Sequence, residues 1–495
     1  MTCWRFIITI LVLAVFHQNA SAQYEVSKNC TMAWEALLDL RINTAKELTK
    51  KEISLNPDNY YAYYVAQNCD AYELMINATS EGYEAFKDNY YDRREIMDDK
   101  DVESPYYLAC ESEMQLQMGI FNIIFGDRLA GLRRAFSAYK NIYKNLDRYP
   151  DFQMGNKLDG MLNVAISNLP PFVSWAANTF GVSGDAEVGY SILNTYFDYF
   201  GDTPGLNEEA VLYTILAHKL NKDPLGAYNF IKSIDSSYAN YLLLKYFYAN
   251  VAYRSGFNEE ALNIFSTFNP NELEIQFNPY NYLYGKIMLR KLDSSAIMYF
   301  TKYLDQNNKK DNLKEINYQL ALAYLINGNI ARFLEHKKFA SELGDDITER
   351  DREAMYDYSL DYIPDINLVK AKLLLDGGYN LHAKAILEKY SSEKIDYNSQ
   401  SPYSLEYNLL IGRLEYQTNN NKLAIISFEK VLDMGKDQDY YFASEAALYL
   451  GLIFEKTDPQ KAISFFERAR ELYDSDYYEY IDEISKKRIK ILSSS

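Results

Sequence analysis

Between about residues 239 and 475 the chain repeats one arrangement of small and aromatic residues, and that repetition limits what it can fold into more than any other feature. In the clearest copy Ile411-Gly412 is followed by Ala424, Phe428 and Val431; in the next, Leu450-Gly451 is followed by Ala462, Phe466 and Ala469. On a pair of helices, a small residue on the first admits the alanine of the second. The aromatic four residues later lies on the same face and fills the space between neighbours. Weaker copies precede these. Ala249, Gly256, Ala261, Phe265 and Phe268 form one, closed by Pro270; Gly285, Ala296, Phe300 and Tyr303 form another. Leu320-Ala321, Tyr324, Gly328 and Ala340 form a third, and Ala371, Gly378, Ala383, Leu387 and Tyr390 a fourth. Ser341 to Pro364 breaks the period, which predicts an added helix or a kink there.

This unit resembles the tetratricopeptide repeat, a helix–turn–helix of roughly 34 residues. Gly256 and Gly328 stand 72 residues apart, two periods of 36. Six tandem copies predict an all-α chain: a tetratricopeptide-repeat right-handed superhelical solenoid with an irregular helical N-terminal half. Only 12 prolines in 495 residues agree with helices, because proline breaks a helix interior. The expected organisation is a signal peptide at 1–22, a helical N-terminal region at 23–205, and a solenoid at 206–495 with its clearest units at 239–475.

The leader is read from Arg5 as a positive n-region, Phe6 to Phe16 as the apolar stretch, and Ala20-Ser21-Ala22 as the cleavage site. The apolar run is too short to span a bilayer, so the mature chain from Gln23 is expected to be exported without a transmembrane segment, into a periplasm or the medium. Asn29-Cys30-Thr31 and Asn77-Ala78-Thr79 fit glycosylation acceptors if the source is eukaryotic. Cys30, Cys69 and Cys110 allow one disulfide and a leftover thiol, or three small buried residues.

Charge and chemistry exclude more than they assign. A net charge of -18 repels a phosphate backbone, and basic clusters are as short as Arg133-Arg134 and Lys486-Lys487-Arg488, so nucleic acid is not expected as a partner. His218, His336 and His382 keep no metal-ligand spacing, and no Walker, GxSxG, GxGxxG or CxxC motif occurs. Acidic runs such as Asp98-Asp99-Lys100-Asp101 and Asp345-Asp346 read as solvated faces. No catalytic residue, metal or cofactor is therefore expected. The 47 tyrosines read either as a base-composition bias or as half-polar rings suited to wet grooves.

The N-terminal half reads as helical without the period. A helix is expected from Met32 to Glu52, capped by Thr31 and ended at Leu55-Asn56-Pro57. Two more are expected at Tyr106 to Phe125 and Leu129 to Leu146, and another capped by Asn207 and running through Leu220. Leu158 to Phe180 is strongly apolar but divided by Pro170-Pro171, which predicts a buried helical pair around a corner.

Two segments here carry a narrower resemblance. Gly131-Leu132-Arg133-Arg134-Ala135-Phe136 with Tyr139-Lys140-Asn141-Ile142-Tyr143 resembles a helix of the inclusion-body-clearance and tetratricopeptide-repeat-39-type proteins. Gly160, Asn163, Ser167, Leu169-Pro170-Pro171, Gly181-Val182-Ser183-Gly184-Asp185 and Gly189 are similar to that family's second signature in order and spacing. Val182 stands where the family has Phe, and Ala186 where it often has a basic residue. The resemblance would cover about 30 to 475 and implies shared architecture without enzyme activity. Its intracellular members, some tied to lipid droplets and clearance of aggregated protein, offer only an analogy for an exported chain. From the residues alone, Ser183 or Asp185 caps a helix beginning near Ala186; an anion or lipid site at that helix start is the alternative.

In this repeat class, first-helix side chains off the packing seam line the concave face. The register places Tyr246, Asn250, Tyr253, Arg254, Lys286, Arg290, Arg413 and Tyr416 there, a groove of aromatic platforms and cations for an extended or acidic peptide. The expected function is a non-catalytic, exported protein-binding scaffold. The alternative is a carrier or receptor for a small apolar or glycan ligand, held by tyrosines or near Pro170-Pro171.

Overall fold

The computed structural model describes residues 23–98, 102–169, 181–201, 203–234, 240–270, 273–306, 312–344, 348–359, 362–393, 399–472 and 478–494. The leader and the Pro170-Pro171 corner lie outside the described residues. Among the described residues there are 24 α-helices, one short 3-10 turn and no strand. The chain divides into two compact units: residues up to Val251 with Thr267–Phe277, and Ala252–Ser266 with Asn278–Ser495.

The first unit opens with α1 (Lys28–Leu38) and α2 (Ile42–Leu55). The single helix expected from Met32 to Glu52 is therefore two, broken where Leu40 turns to a φ of 58°. Ser27 rather than Thr31 caps α1, accepting from the Cys30 amide at 3.3 Å. The expected end of α2 at Leu55 is found. Next come α3 (Tyr60–Asn77), α4 (Ser80–Asp98), α5 (Pro105–Ile124) and α6 (Arg128–Arg148), the last two close to the helices read from sequence. The unit continues with α7 (Asn156–Ser167), α8 (Ala186–Phe200), α9 (Leu206–Leu220) and α10 (Pro224–Ser233). The α9 helix starts two residues earlier than expected, and Glu208 holds its start by accepting from the Gly205 amide at 2.7 Å.

These helices pack in consecutive pairs, so the paired architecture reaches into the half whose sequence keeps no period. The reason lies in helices such as α3, where Tyr60, Tyr61, Tyr63 and Tyr64 are all buried; a helix apolar on every side carries no 3.6-residue signal. Cys30, Cys69 and Cys110 are free and buried here. Burial pushes the Cys30 thiol up to about 11 and the Cys69 thiol up to about 12.

From Leu242 onward the six expected copies appear as α11 (Leu242–Arg254) and α12 (Asn258–Ser266), α13 (Asn278–Arg290) and α14 (Ala296–Gln306), and α15 (Leu313–Ile326) and α16 (Ile330–Glu342). After an added helix, α17 (Glu349–Ser359), come α18 (Ile366–Asp376) and α19 (Asn380–Glu393), α20 (Pro402–Gln417) and α21 (Asn421–Gly435), and α22 (Phe442–Phe454) and α23 (Pro459–Glu471). A final helix, α24 (Glu479–Ser494), packs on α23. The interruption at Ser341 to Pro364 is thus a helix, as its length allowed.

In three of the pairs the small residue of the first helix lies directly against the aromatic ring of the second. A Cβ on Gly285 would lie 2.6 Å from the Phe300 ring, one on Gly412 2.5 Å from Phe428, and one on Gly451 2.5 Å from Phe466. All three rings are fully buried. Each contributes roughly 1.5–3 kcal/mol of transfer free energy to its pair.

Candidate functional site

In the second unit the first helices α13, α15, α18, α20 and α22 touch one another in turn, whereas the second helices stand farther apart. The first helices therefore form the inside of the curve, and their side chains decide what the inner face can hold.

That face is a ladder of charges joined across repeats. Lys286 of α13, buried, donates to Glu315 of α15 at 2.6 Å and to the Tyr282 hydroxyl at 3.2 Å. Burial opposes the charge on Glu315, but Lys286 and Arg350 outweigh it and hold the carboxyl below its ordinary range. Arg290 stacks over the Tyr253 ring at 3.6 Å and donates to the Tyr253 carbonyl. Farther along, buried Arg413 of α20 donates to Asp376 of α18 at 2.5 Å. Burial likewise opposes the charge on Asp376, and Arg413, Arg290 and Lys372 overcome it. Lys372 donates to the Tyr441 hydroxyl at 3.2 Å. Burial pushes the neighbouring Glu406 up to about 7 against the pull of Lys372.

The residues expected to line a groove thus divide. Lys286, Arg290 and Arg413 are engaged within the fold, and Tyr253 is buried beneath Arg290. Tyr416 is half-buried with its ring 5.4 Å from that of Tyr449. Arg254 is exposed, although the surrounding walls and Arg350 disfavour its charge. Tyr246 and Asn250, both half-buried, belong to the first unit, where the Tyr246 ring lies 5.0 Å from Phe277. The carboxylates Glu315, Asp376 and Glu406 were not singled out in the sequence. The available signal was their place on first helices, one repeat away from each cation.

The first unit holds a separate buried cluster. Lys157 donates to Glu113 at 2.8 Å, Glu209 at 2.6 Å and the Tyr64 hydroxyl at 2.9 Å. Tyr64 donates to Glu113 at 2.7 Å, and Tyr196 to Glu209 at 3.2 Å. All three protons of the ammonium are used and it is held charged, so this lysine offers no nucleophile. Nearby, the glycine-rich signature explains itself sterically. A Cβ on Gly189 would lie 2.6 Å from the Gly160 carbonyl, and one on Gly184 2.5 Å from the Asn163 carbonyl. Asp185 caps α8, accepting from the amides of Glu187 at 2.9 Å and Val188 at 3.0 Å, the donors an anion would use.

Among the described residues no group of three or more His, Cys, Asp or Glu side chains is arranged to hold a metal ion, and no helix is long and apolar enough to cross a membrane. A cavity of about 420 Å³ in the second unit is lined by Leu325, Ile330, Ile363, Tyr390, Ser401 and Tyr403. Another of about 310 Å³ in the first unit is lined by polar groups including Lys46, Asp70 and Glu73.

The geometry defines the class: an all-α, tetratricopeptide-repeat-type solenoid of helical pairs. No protein-family model matches the chain, and no curated protein matches it. Among solved structures it is similar to the tetratricopeptide-repeat domain of P58(IPK), at 14% identity over 95% of this chain and 98% of that one, with a TM-score of 0.21. It is similar also to the APC/C hetero-tetramer Cut9-Hcn1, at 12% identity over 94% and 96% of the two chains, with a TM-score of 0.27. A monomeric IFIT1 mutant with Gppp-AAAA matches at 13% identity over 89% and 80%, with a TM-score of 0.27.

Proposed function

We propose that this chain is an exported, non-catalytic scaffold that binds protein or peptide partners on the inner face of its repeats, and that it is a divergent relative of the inclusion-body-clearance type. The observation that carries the reading is the ladder on α13 to α22, where charges and tyrosines recur at repeat spacing along one curved face. The ladder's cations are paired within the fold and set the shape of the face, and the exposed Arg254 and half-buried Tyr416 are what it presents to a peptide. Lys157, buried in the first unit, is saturated by its partners, which favours a structural role over a catalytic one.

The test is affinity capture with residues 23–495 from the envelope or secreted fraction of the source, with Arg254→Glu alongside. Partners recovered at stoichiometric amounts and lost with Arg254→Glu support the inner-face scaffold. Carriage of a small ligand is the second reading, favoured by the cavity at Leu325, Ile330 and Tyr403. Lipid or glycan recovered without protein would move the function there.

A further inference from the structure

The added helix α17 is the most polar of the second unit, yet it lies on the inner face. Six of its eleven residues are charged, and of its described side chains only Asp351, Ala354 and Tyr356 are buried. Its apolar anchor is Tyr356, which lies in a cluster with Leu448, Phe466, Tyr478 and Ile481. The helix also falls between two complete pairs, α15–α16 and α18–α19, and completes none of its own.

Polar contacts hold it as well. Asp351 sits at the start of α15, where its carboxylate accepts from the amides of Asn312 at 3.0 Å and Glu315 at 3.1 Å, at the positive end of that helix. Tyr356 donates to the Asp439 carbonyl at 3.1 Å, and its ring stands edge-on to Tyr478 at 5.2 Å and Tyr441 at 6.1 Å. Asp357 accepts from the Tyr478 hydroxyl at 2.7 Å, and Arg352 pairs with Glu479 at 2.7 Å. The helix thus reaches from α15 to α22 and to the start of α24, along the surface that the scaffold reading assigns to a partner.

We infer that the inner face of the second unit is a groove for a short acidic, tyrosine-bearing helix, and that α17 is its self-supplied occupant. This rests on the scaffold reading and names the partner's chemistry. The partner presents a carboxylate to the amides at the start of α15. Five and six residues later it places a tyrosine between Tyr441 and Tyr478 and a second carboxylate against the Tyr478 hydroxyl. It competes with α17 for the same donors, so binding is linked to release of α17.

The experiment uses a fluorescent peptide with the sequence of residues 348–359, titrated by anisotropy into the full mature chain and into the variant Arg352→Ala/Tyr356→Ala/Asp357→Ala, which loosens α17 but leaves the groove intact. The expected result is binding to the variant at least tenfold tighter than to the unaltered protein, abolished when the peptide itself carries Tyr356→Ala and Asp357→Ala. Absence of binding, or equal binding to both proteins, overturns the inference, as does a variant that fails to fold, since α17 would then be core. Hydrogen exchange on the unaltered protein is the second measurement. Residues 349–359 should exchange faster than α15 and α18, and equal protection also overturns the inference. Each of these failures leaves partner capture by the whole chain standing, whereas loss of capture with an intact peptide result removes only the wider scaffold reading.

Discussion

Gly378, in the turn between α18 and α19, lies directly against Gly256, in the turn between α11 and α12: a Cβ on Gly378 would overlap the Gly256 carbonyl oxygen. The two turns are further joined by the Asn258 amide donating to the Gly377 carbonyl at 3.3 Å, and by Tyr379, whose hydroxyl accepts from Asn258 and donates to Glu259, both at 3.0 Å. Turns three repeats apart meet, so the second unit curls tightly.

A matched pair of substitutions reads this contact. Gly378 and Gly328 share a φ of 78°, but nothing lies within 4 Å of a Cβ on Gly328. Alanine at either carries the left-handed backbone cost of roughly 1–2 kcal/mol. At Gly378 the overlap with a backbone oxygen adds roughly 1–3 kcal/mol. Gly378→Ala should therefore lower stability clearly more than Gly328→Ala, with faster hydrogen exchange in α12 and α19. Equal losses would mean that the two turns do not touch.

Arg413 and Arg254 look alike in the sequence but should behave oppositely. Arg413→Ala leaves Asp376 without its partner in a largely buried place, a change that costs roughly 3–5 kcal/mol. Arg254→Ala removes an exposed side chain, where substitutions usually stay within about 0.5 kcal/mol. Thermal denaturation of the two single variants decides this. Only Arg254 can then report on a partner without disturbing the fold, and a strongly destabilised Arg254→Ala would undo that assignment.

The contrast shows which features the sequence makes legible. Gly412 and Phe428 are 16 residues apart and meet within one helical pair, so a local pattern reveals them. Lys286 and Glu315, or Arg413 and Asp376, meet across repeats, 29 and 37 residues apart, and nothing in either segment alone marks a cation as already taken. The α17 helix is harder still, because its polar surface predicts solvent. The first unit hides its pairs for another reason: Tyr61 and Tyr63 are buried on different sides of α3, which erases the amphipathic period.

The thiols of Cys30, Cys69 and Cys110 give a direct test of the first unit. Cys30, Cys69 and Cys110 are buried, and burial raises all three above the ordinary thiol range, so the reactive thiolate is scarce as well as shielded. Native protein should resist a thiol reagent at neutral pH, and unfolding in denaturant without reductant should expose all three. Only one reactive thiol after unfolding would mean that two of them are joined.

Stability should depend on pH through carboxyls whose surroundings push them in opposite directions. Burial raises Glu353 and Glu406 to about 7 each, against Arg350 for the first and Lys372 for the second, with Asp357 adding to both shifts. Glu349 and Glu315 also face Glu353, while Asp365 and Glu445 face Glu406. Between the ordinary carboxyl range and about 7 the folded state binds more protons than the unfolded state, so stability falls as pH rises through that window. Each group contributes a slope of up to about 1.4 kcal/mol per pH unit there. Glu315 and Asp376 are held below their ordinary range, so their contribution is present above it and is lost as pH falls through their lowered values. The second unit should therefore be most stable in mildly acidic solution, near the top of the ordinary carboxyl range. Melting temperatures measured from pH 4 to 8 should peak there, and Glu353→Gln/Glu406→Gln should flatten the decline toward pH 8 without moving the loss on the acid side. A decline that persists unchanged in the double variant would assign it to other groups, and would remove Glu353 and Glu406 as its source.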